Sequence, residues 1–327
     1  MLCVLFITCD TESQYFHKFC LQKKPYLITF YNFVGLDAKK NHQMKSIANR
    51  INKGLADIYS AGEVSALTRI IATELLAVSQ MAFYMKDDVA LTAEQETLLD
   101  DAIARLQKHE PIQYILGYSD FCGLRFKVTP ATLIPRPETS ELVEWIASEA
   151  NGNESILDIG TGSGCIAISL ANKLPQSKVS AWDISPDALA VAKENSNANG
   201  CDVAFEQVDI LAYEPTSELF DIIVSNPPYI KEVEKELMHS NVLDWEPHTA
   251  LFVPDSDPLL FYRSIAEKAT TMLRSGGKLY FEINRAHGKE TVEMLAALGY
   301  VNIELRKDFA DNDRMIRAVK NESVPSI

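Results

Sequence analysis

Basic residues are in deficit: 31 Lys and Arg stand against 45 Asp and Glu in 327 residues, a formal net charge of −14. Duplex binding draws on clustered Lys and Arg, so the balance argues against a broad phosphate-binding surface. Cysteines are few, and Cys3, Cys9, Cys20, Cys122, Cys165 and Cys201 contain no C-x-x-C and no metal-ligand spacing. They read as reduced thiols of a cytoplasmic protein, with no metal expected. Long apolar runs are missing too. Leu2 to Ile7 is apolar but has no basic flank and is too short to span a bilayer, which excludes a signal peptide and a membrane anchor there. No internal repeat or low-complexity tract is present. With 47% hydrophobic and 23% charged residues, what remains is an ordinary globular composition, long enough for one large α/β domain and a smaller one.

Residues 1–43 are aromatic-rich without clear periodicity, and regular amphipathic patterning begins at Met44. We expect Met44 to be the natural start and 1–43 a poorly packed leader, which the intact mass of the protein from its own gene would test. Residues 44–112 read as a helical domain. Ile47, Ile51, Leu55 and Ile58 recur at helical spacing, as do Leu67, Ile70, Ile71, Leu75 and Val78. Thr92 and Gln95 have the spacing of a capping box, and Leu98, Leu99, Ala102, Ile103 and Leu106 continue one face. Residues 113–150 read as a hairpin and linker, with a hairpin strand over 121–128, a rigid Ile134-Pro135-Arg136-Pro137 segment, and a helix from Glu138. Arg136 is a candidate substrate-binding residue, although a stiff connector would use the same residues.

From 151 to 327 strand and helix patterns alternate, which predicts a parallel sheet with right-handed crossovers. The first strand, Ser155 to Ile159, runs into Gly160-Thr161-Gly162-Ser163-Gly164. This G-x-G-x-G loop differs from the dinucleotide fingerprint and follows an acid, Asp158, in the strand end. An acid there repels pyrophosphate but suits a cationic amino-acid group, which favours S-adenosylmethionine over NAD. The next two strands end in Asp183, placed to accept both ribose hydroxyls, and in Asp209-Ile210, placed to accept from an adenine amine and to cover its ring.

A fourth apolar strand, Phe220 to Ser225, leads into Asn226-Pro227-Pro228-Tyr229. An amide nitrogen is a poor nucleophile because its lone pair is delocalised. Acceptors for both of its N–H groups can hold the lone pair in line with a methyl carbon. The Asn226 side-chain carbonyl and the Pro227 backbone carbonyl supply them, Pro228 stiffens the loop, and Tyr229 can pack against a flat group. The segment from Tyr229 to Trp245 is charged and reads as mobile, and His248 beyond it reads as a loop residue.

Together with Gln113 to Gly117, Ile134 to Thr139 and Asn312-Asp313-Arg314-Met315, these motifs resemble the peptide chain release factor glutamine methyltransferases, over about Met44 to Lys320. Asn-Pro-Pro-Tyr alone is shared with nucleic-acid adenine methyltransferases, the alternative reading; the Pro-Arg-Pro-Glu segment and the small helical domain narrow the choice. A third possibility is a silent domain that binds the donor or a partner. The resemblance implies a class I, Rossmann-like seven-stranded methyltransferase with an N-terminal helical domain that docks a release factor, acting as a monomer without metal, nucleic acid or membrane. It also implies that 160–164, with Asp158, line the methionine part of S-adenosylmethionine, Asp183 the ribose, and Asp209 and Ile210 the adenine. Asn226, Pro227, Pro228 and Tyr229 would hold the glutamine of a Gly-Gly-Gln tripeptide. Asn284 and His287 depart from the family pattern, which has glycine and glutamine there in many members.

Overall fold

The computed structural model describes residues 43–85 and 89–322, which form two compact units divided between Gln107 and Lys108. Expectations about residues 1–43 lie outside the described residues, apart from Gln43.

The first unit contains α1 (Gln43–Leu55), α2 (Ala61–Ile70), α3 (Gln80–Met85) and α4 (Ala93–Leu106). Reciprocal side-chain caps start α2 and α4: Ser60 with Glu63, and the expected Thr92 with Gln95. Ile47, Ile51 and Leu55 of α1, Leu67 of α2, and Leu99, Ala102 and Leu106 of α4 are buried. The pattern slips at one point. α2 continues into a π turn, Ile71–Leu75, closed by the Leu76 N–H on the Ile71 carbonyl at 2.9 Å. The wider turn rotates the apolar face by one residue, so Leu76 is buried where the periodicity placed Leu75. Ile58, past the end of α1, and Leu98 are 37% and 39% exposed and lie off the core stripe.

The second unit opens with α5 (Ile112–Leu116), started after Pro111 and ended by Gly117 at φ 79°. The hairpin β1 (Tyr118–Phe121) and β2 (Leu124–Lys127) follows. Both strands fit within 118–127, earlier than the expected 121–128, because Cys122 and Gly123 take φ of 49° and 80° and close a two-residue turn. α6 (Pro137–Glu149) carries Pro137 in its first turn. Phe121, Phe126, Leu142, Val143 and Trp145 share one buried cluster with Ile156, Ile168 and Ile222, so residues 113–150 belong to this unit's core instead of forming a separate linker.

Strand and helix then alternate: β3 (Ser155–Ile159), α7 (Cys165–Lys173), β4 (Lys178–Asp183), α8 (Pro186–Asn199), β5 (Val203–Gln207) and β6 (Phe220–Ser225). After the short β7 (Ile230–Lys231), α9 (Ser240–Leu243) and β8 (Phe252–Val253) come α10 (Leu260–Met272), β9 (Leu273–Glu282), α11 (Gly288–Ala297), β10 (Val301–Lys307) and β11 (Asp313–Val319). The seven-stranded sheet has the order β10-β11-β9-β6-β3-β4-β5, with only β11 antiparallel to its neighbours among the pairings. Its central strands are mostly apolar because both faces are covered. Ile222 and Val224 of β6 enter the cluster with α6 and α7, while Phe220 and Ile223 enter the one with α10.

β3 and β6 are neighbours, yet β3 hands the chain on to β4 on one side and β6 leads to β9 on the other. Connections that diverge in this way open a crevice at the carboxyl ends of the two strands. The segment after Tyr229, expected to be mobile, is built from regular pieces. β7 pairs with β8, Glu232–Leu237 and His248–Ala250 form 3-10 turns, and α9 lies between them. No helix among the described residues is long and apolar enough to cross a membrane.

Candidate active site

The loop after β3 is fastened before any ligand is considered. Gly160 and Thr161 donate their N–H groups to the Trp182 carbonyl at 2.8 and 2.9 Å, and the Gly162 N–H reaches the Asp183 carboxylate at 2.8 Å. Gly160 and Gly162 have φ of 75° and 56°, and no heavy atom lies within 4 Å of where a side chain would begin, so the bare backbone borders open space. Gly164 is glycine for a different reason. At φ 81° an added Cβ would sit 2.7 Å from Ile168 Cδ1 and 3.2 Å from Ala192 Cβ, so its bareness lets α7 pack on α8. Gly164→Ala is therefore expected to cost about 1–3 kcal/mol of stability, from overpacking and left-handed backbone strain. Urea denaturation checks it, and an unchanged midpoint would refute it.

Asp158 is fully buried at the end of β3. One oxygen, Oδ2, accepts from the Thr161 hydroxyl at 2.6 Å and from the Ala167 N–H at 3.3 Å, while Oδ1 has no partner among the described residues. An orphaned buried acceptor beside an exposed glycine backbone fits a ligand that brings an N–H or a positive charge. The first turn of α7 thus gives an amide to a carboxylate, which leaves little here to attract a phosphate.

Asp183 uses one oxygen on Gly162 and the other on the Ser185 N–H at 2.9 Å. Each oxygen keeps a second lone pair for a hydroxyl donor. Asp209 is exposed, with Oδ1 accepting from the Leu211 N–H at 2.9 Å. Ile210 is buried in the cluster with Trp182 and Phe220. Apolar side chains left open at this end of the sheet are Ile184, 54% exposed directly after Asp183, and Leu211, 41% exposed directly after Ile210. The signal for Ile184 in the sequence was an isoleucine following the acid at a strand end.

The two loops of the crevice are tied together. Ile159 pairs with Ser225, and the Ser225 hydroxyl donates to the Ile159 carbonyl at 2.6 Å. Asn226 follows at once, half-buried, with Pro227 buried behind it. Among the described residues neither the Asn226 carboxamide nor the Pro227 carbonyl is engaged in a hydrogen bond. Tyr229, by contrast, is held from both sides: its N–H donates to the Leu251 carbonyl at 3.2 Å, and its carbonyl accepts from Asn284 Nδ2 at 3.2 Å.

The comparisons with known proteins bear on this constellation. Residues 49–117 match the model of the PrmC N-terminal domain and residues 138–244 that of the methyltransferase small domain. A release factor glutamine methyltransferase of Bacteroides thetaiotaomicron is 50% identical over 276 residues, 84% of this chain and 99% of its own length. The chain belongs to the release factor glutamine methyltransferase family. The Flavobacterium psychrophilum member is 47% identical over 84% of this chain and 98% of its own. Among solved structures, a methyltransferase from Pyrococcus furiosus aligns with a TM-score of 0.46 and 19% identity over 68% of this chain and 99% of that one.

Two fully buried acids near the crevice hold their protons above the usual carboxylate range. Burial pushes Asp158 up to about 7, against the Thr161 hydroxyl and the Ala167 N–H. Glu282, at the end of β9 next to β6, is likewise pushed up to about 7 by burial, against the Thr139 hydroxyl, 2.6 Å away, and the Arg314 charge. Glu282 was not among the sequence candidates, because its partner Thr139 is 143 residues away. Burial, then the Glu282 charge, raises the Tyr229 hydroxyl to about 12, so the phenol stays neutral and cannot serve as a base. Asn195, also missed, is buried in α8 and donates to the Ser163 carbonyl at 2.8 Å and the Lys127 carbonyl at 3.0 Å, joining the glycine loop to the hairpin.

Buried Asp158 links stability to pH. The unfolded carboxyl ionises near about pH 4, whereas the folded one keeps its proton to about pH 7. Across that window the native state binds the extra proton, so this group's stabilising contribution is lost as pH rises to 7. Asp158→Asn is expected to remove that part of the slope when denaturation midpoints are measured between pH 5 and 8. Identical slopes in the two proteins would count against the assignment.

Arg136, the substrate-binding candidate, lies with its guanidinium on the Glu246 carboxylate at 2.5 Å.

Proposed function

We propose that the chain transfers a methyl group from S-adenosylmethionine to the side-chain amide nitrogen of the glutamine in the Gly-Gly-Gln tripeptide of peptide chain release factors, leaving S-adenosylhomocysteine. The observation that carries this is the pair of uncommitted acceptors, the Asn226 carboxamide and the Pro227 carbonyl, fixed at the end of β6 and tied through Ser225 to the strand that bears the glycine loop. Family membership over 84% of the chain supports the substrate class.

S-adenosylmethionine supplies an electrophilic methyl group on a sulfonium. Asp158 Oδ1 and the bare backbone at Gly160 and Gly162 suit its amino-acid part, the Asp183 carboxylate its ribose, and Asp209 with Ile184 and Ile210 its adenine. Asn226 Oδ1 and the Pro227 carbonyl accept the two amide N–H groups of the glutamine. This keeps its lone pair out of conjugation and aimed at the methyl carbon. As the N–C bond forms the amide nitrogen becomes positive, and the same two acceptors stabilise that charge while requiring no movement. The proton made acidic by methylation then leaves to water or a nearby acceptor, so no strong base is needed. The helical unit, 43–107, docks the protein substrate, and the chain works as a cytoplasmic monomer without a metal.

Mass spectrometry of a release factor incubated with the protein and S-adenosylmethionine, with duplex DNA in parallel, tests the proposal. One added methyl on the Gly-Gly-Gln glutamine is expected. Methylated adenine with unmodified release factor would transfer the chemistry to nucleic acid, and no product on either would point to a silent domain.

A further inference from the structure

Prolines at 227 and 228 have no N–H, so past Asn226 the first backbone donor by which the catalytic loop can be fastened is Tyr229. Its N–H and that of Ile230 both go to one acceptor, the Leu251 carbonyl, at 3.2 and 2.9 Å. Leu251 is therefore the backbone hold on the far side of the loop, beside the Asn284 amide on the Tyr229 carbonyl and the Ser225 tie at the near end. The Leu251 carbonyl belongs to the stretch 240–253, and what fixes this stretch lies five residues earlier.

Glu246 is buried, its side chain 1% exposed. Both of its oxygens have fixed partners: Oε1 takes the Arg136 guanidinium at 2.5 Å and Oε2 the Ile134 N–H at 3.2 Å. Arg136 is held between Pro135 and Pro137, the latter in the first turn of α6, and its side chain is 20% exposed. The adjoining Trp245 packs on Tyr114, Val128 and Ile134, and its indole N–H reaches the Lys108 carbonyl at 3.1 Å. From Glu246 to Leu251 there is little slack. Glu246 N–H closes on the Val242 carbonyl, Ala250 N–H on Pro247 and Leu251 N–H on His248, at 3.0, 2.9 and 3.1 Å. β7 and β8 then pair Ile230 with Phe252 and Lys231 with Val253.

A buried ion pair adds little net stability, because desolvating two charges offsets most of their attraction. What it does supply is position, since a buried carboxylate with two fixed donors has one low-energy place to be. We propose that Glu246 is a positioning residue for methyl transfer, locking the 240–253 strap to the Ile134–Arg136 segment so that Leu251 holds Tyr229, and with it Asn226 and Pro227, in register with the donor. Arg136 then acts through Glu246 and not on the substrate.

The inference rests on the proposed methylation of release factors, and its test separates the two. The full-length wild type, Glu246→Gln, Arg136→Gln and the double variant are compared for kcat, for KM toward release factor, for donor affinity by calorimetry, and for Tm. Glutamine at 246 keeps an acceptor for Ile134 but turns an amide N–H toward Arg136. The expected result is a kcat about 10- to 100-fold lower for Glu246→Gln, the scale of a misplacement of about 1 Å, with KM and donor affinity within about threefold. The double variant is expected to be no worse than the poorer single one, since both break one link. Unchanged kcat, a rise in KM alone, or additive losses in the double variant would overturn the inference. If Glu246→Gln does not fold, Arg136→Gln with the same kcat-against-KM split decides. A wild type that leaves release factor unmethylated would instead overturn the functional proposal.

Discussion

Asn226→Ala is expected to lower the single-turnover rate of release factor methylation about 100- to 1,000-fold, the usual effect of deleting one preorganised polar group that faces developing charge. The carboxamide sits at the end of β6 without a hydrogen bond from the described residues, so its removal leaves no protein donor unpaired. Folding should therefore be nearly untouched, and Tm serves as the control. Donor affinity should change by less than about threefold, because the contacts proposed for the donor lie on the loops after β3, β4 and β5 while the amide contact forms fully only as charge develops. Asn226→Asp is the sharper variant. Its carboxylate still accepts one N–H, but it loses the carboxamide's own donor and adds a negative charge beside Pro227. Partial recovery with aspartate would mean that acceptance from the substrate is the main role. Equal losses of rate and donor affinity in Asn226→Ala would mean that the residue holds the donor, and the assignment of substrate contacts would fall.

The sheet and its two loops were legible in the sequence for a simple physical reason. β3 and β6 are buried on both faces and so write themselves as mainly apolar runs without alternation, and glycines or prolines punctuate their ends. Capping at Thr92 was legible because a cap and its amide lie three residues apart. Contacts between distant segments left no such trace. Glu246 and Arg136 are 110 residues apart, and nothing local distinguishes Glu246 from a solvated glutamate. The same holds for Asn284. It departs from the family pattern, yet its Nδ2 holds the Tyr229 carbonyl and its Oδ1 accepts from the Ala286 N–H at 3.0 Å. The π turn at Ile71–Leu75 escaped because periodicity assumes 3.6 residues per turn throughout. The segment after Tyr229 looked mobile because its charges hide short pieces, each fixed by a local bond such as that from the Lys231 N–H to Glu234 at 3.2 Å.

The second large effect is expected at Asp183. Its carboxylate holds Gly162 through Oδ2 and Ser185 through Oδ1, so the residue proposed to accept from the ribose also sets the path of the glycine loop. Hydrogen bonds to a charged acceptor contribute roughly 1.5–3 kcal/mol each. Two ribose hydroxyls lost together correspond to a fall in donor affinity of about 100-fold or more for Asp183→Ala, before any loosening of the loop is counted. Asp183→Asn should lie between the two, because its one carbonyl can serve either Gly162 or Ser185 while its NH₂ faces the other. Calorimetry with S-adenosylmethionine measures both variants, and turnover at saturating donor separates binding from chemistry. The rate at saturation should stay within about tenfold of wild type, since Asp183 does not touch the reacting atoms in this assignment. If the rate fell as far as the affinity, the loop anchored by Asp183 would be aligning the methyl group itself. Unchanged affinity would remove the ribose contact and leave Asp183 as a fastener of the Gly162 and Ser185 amides.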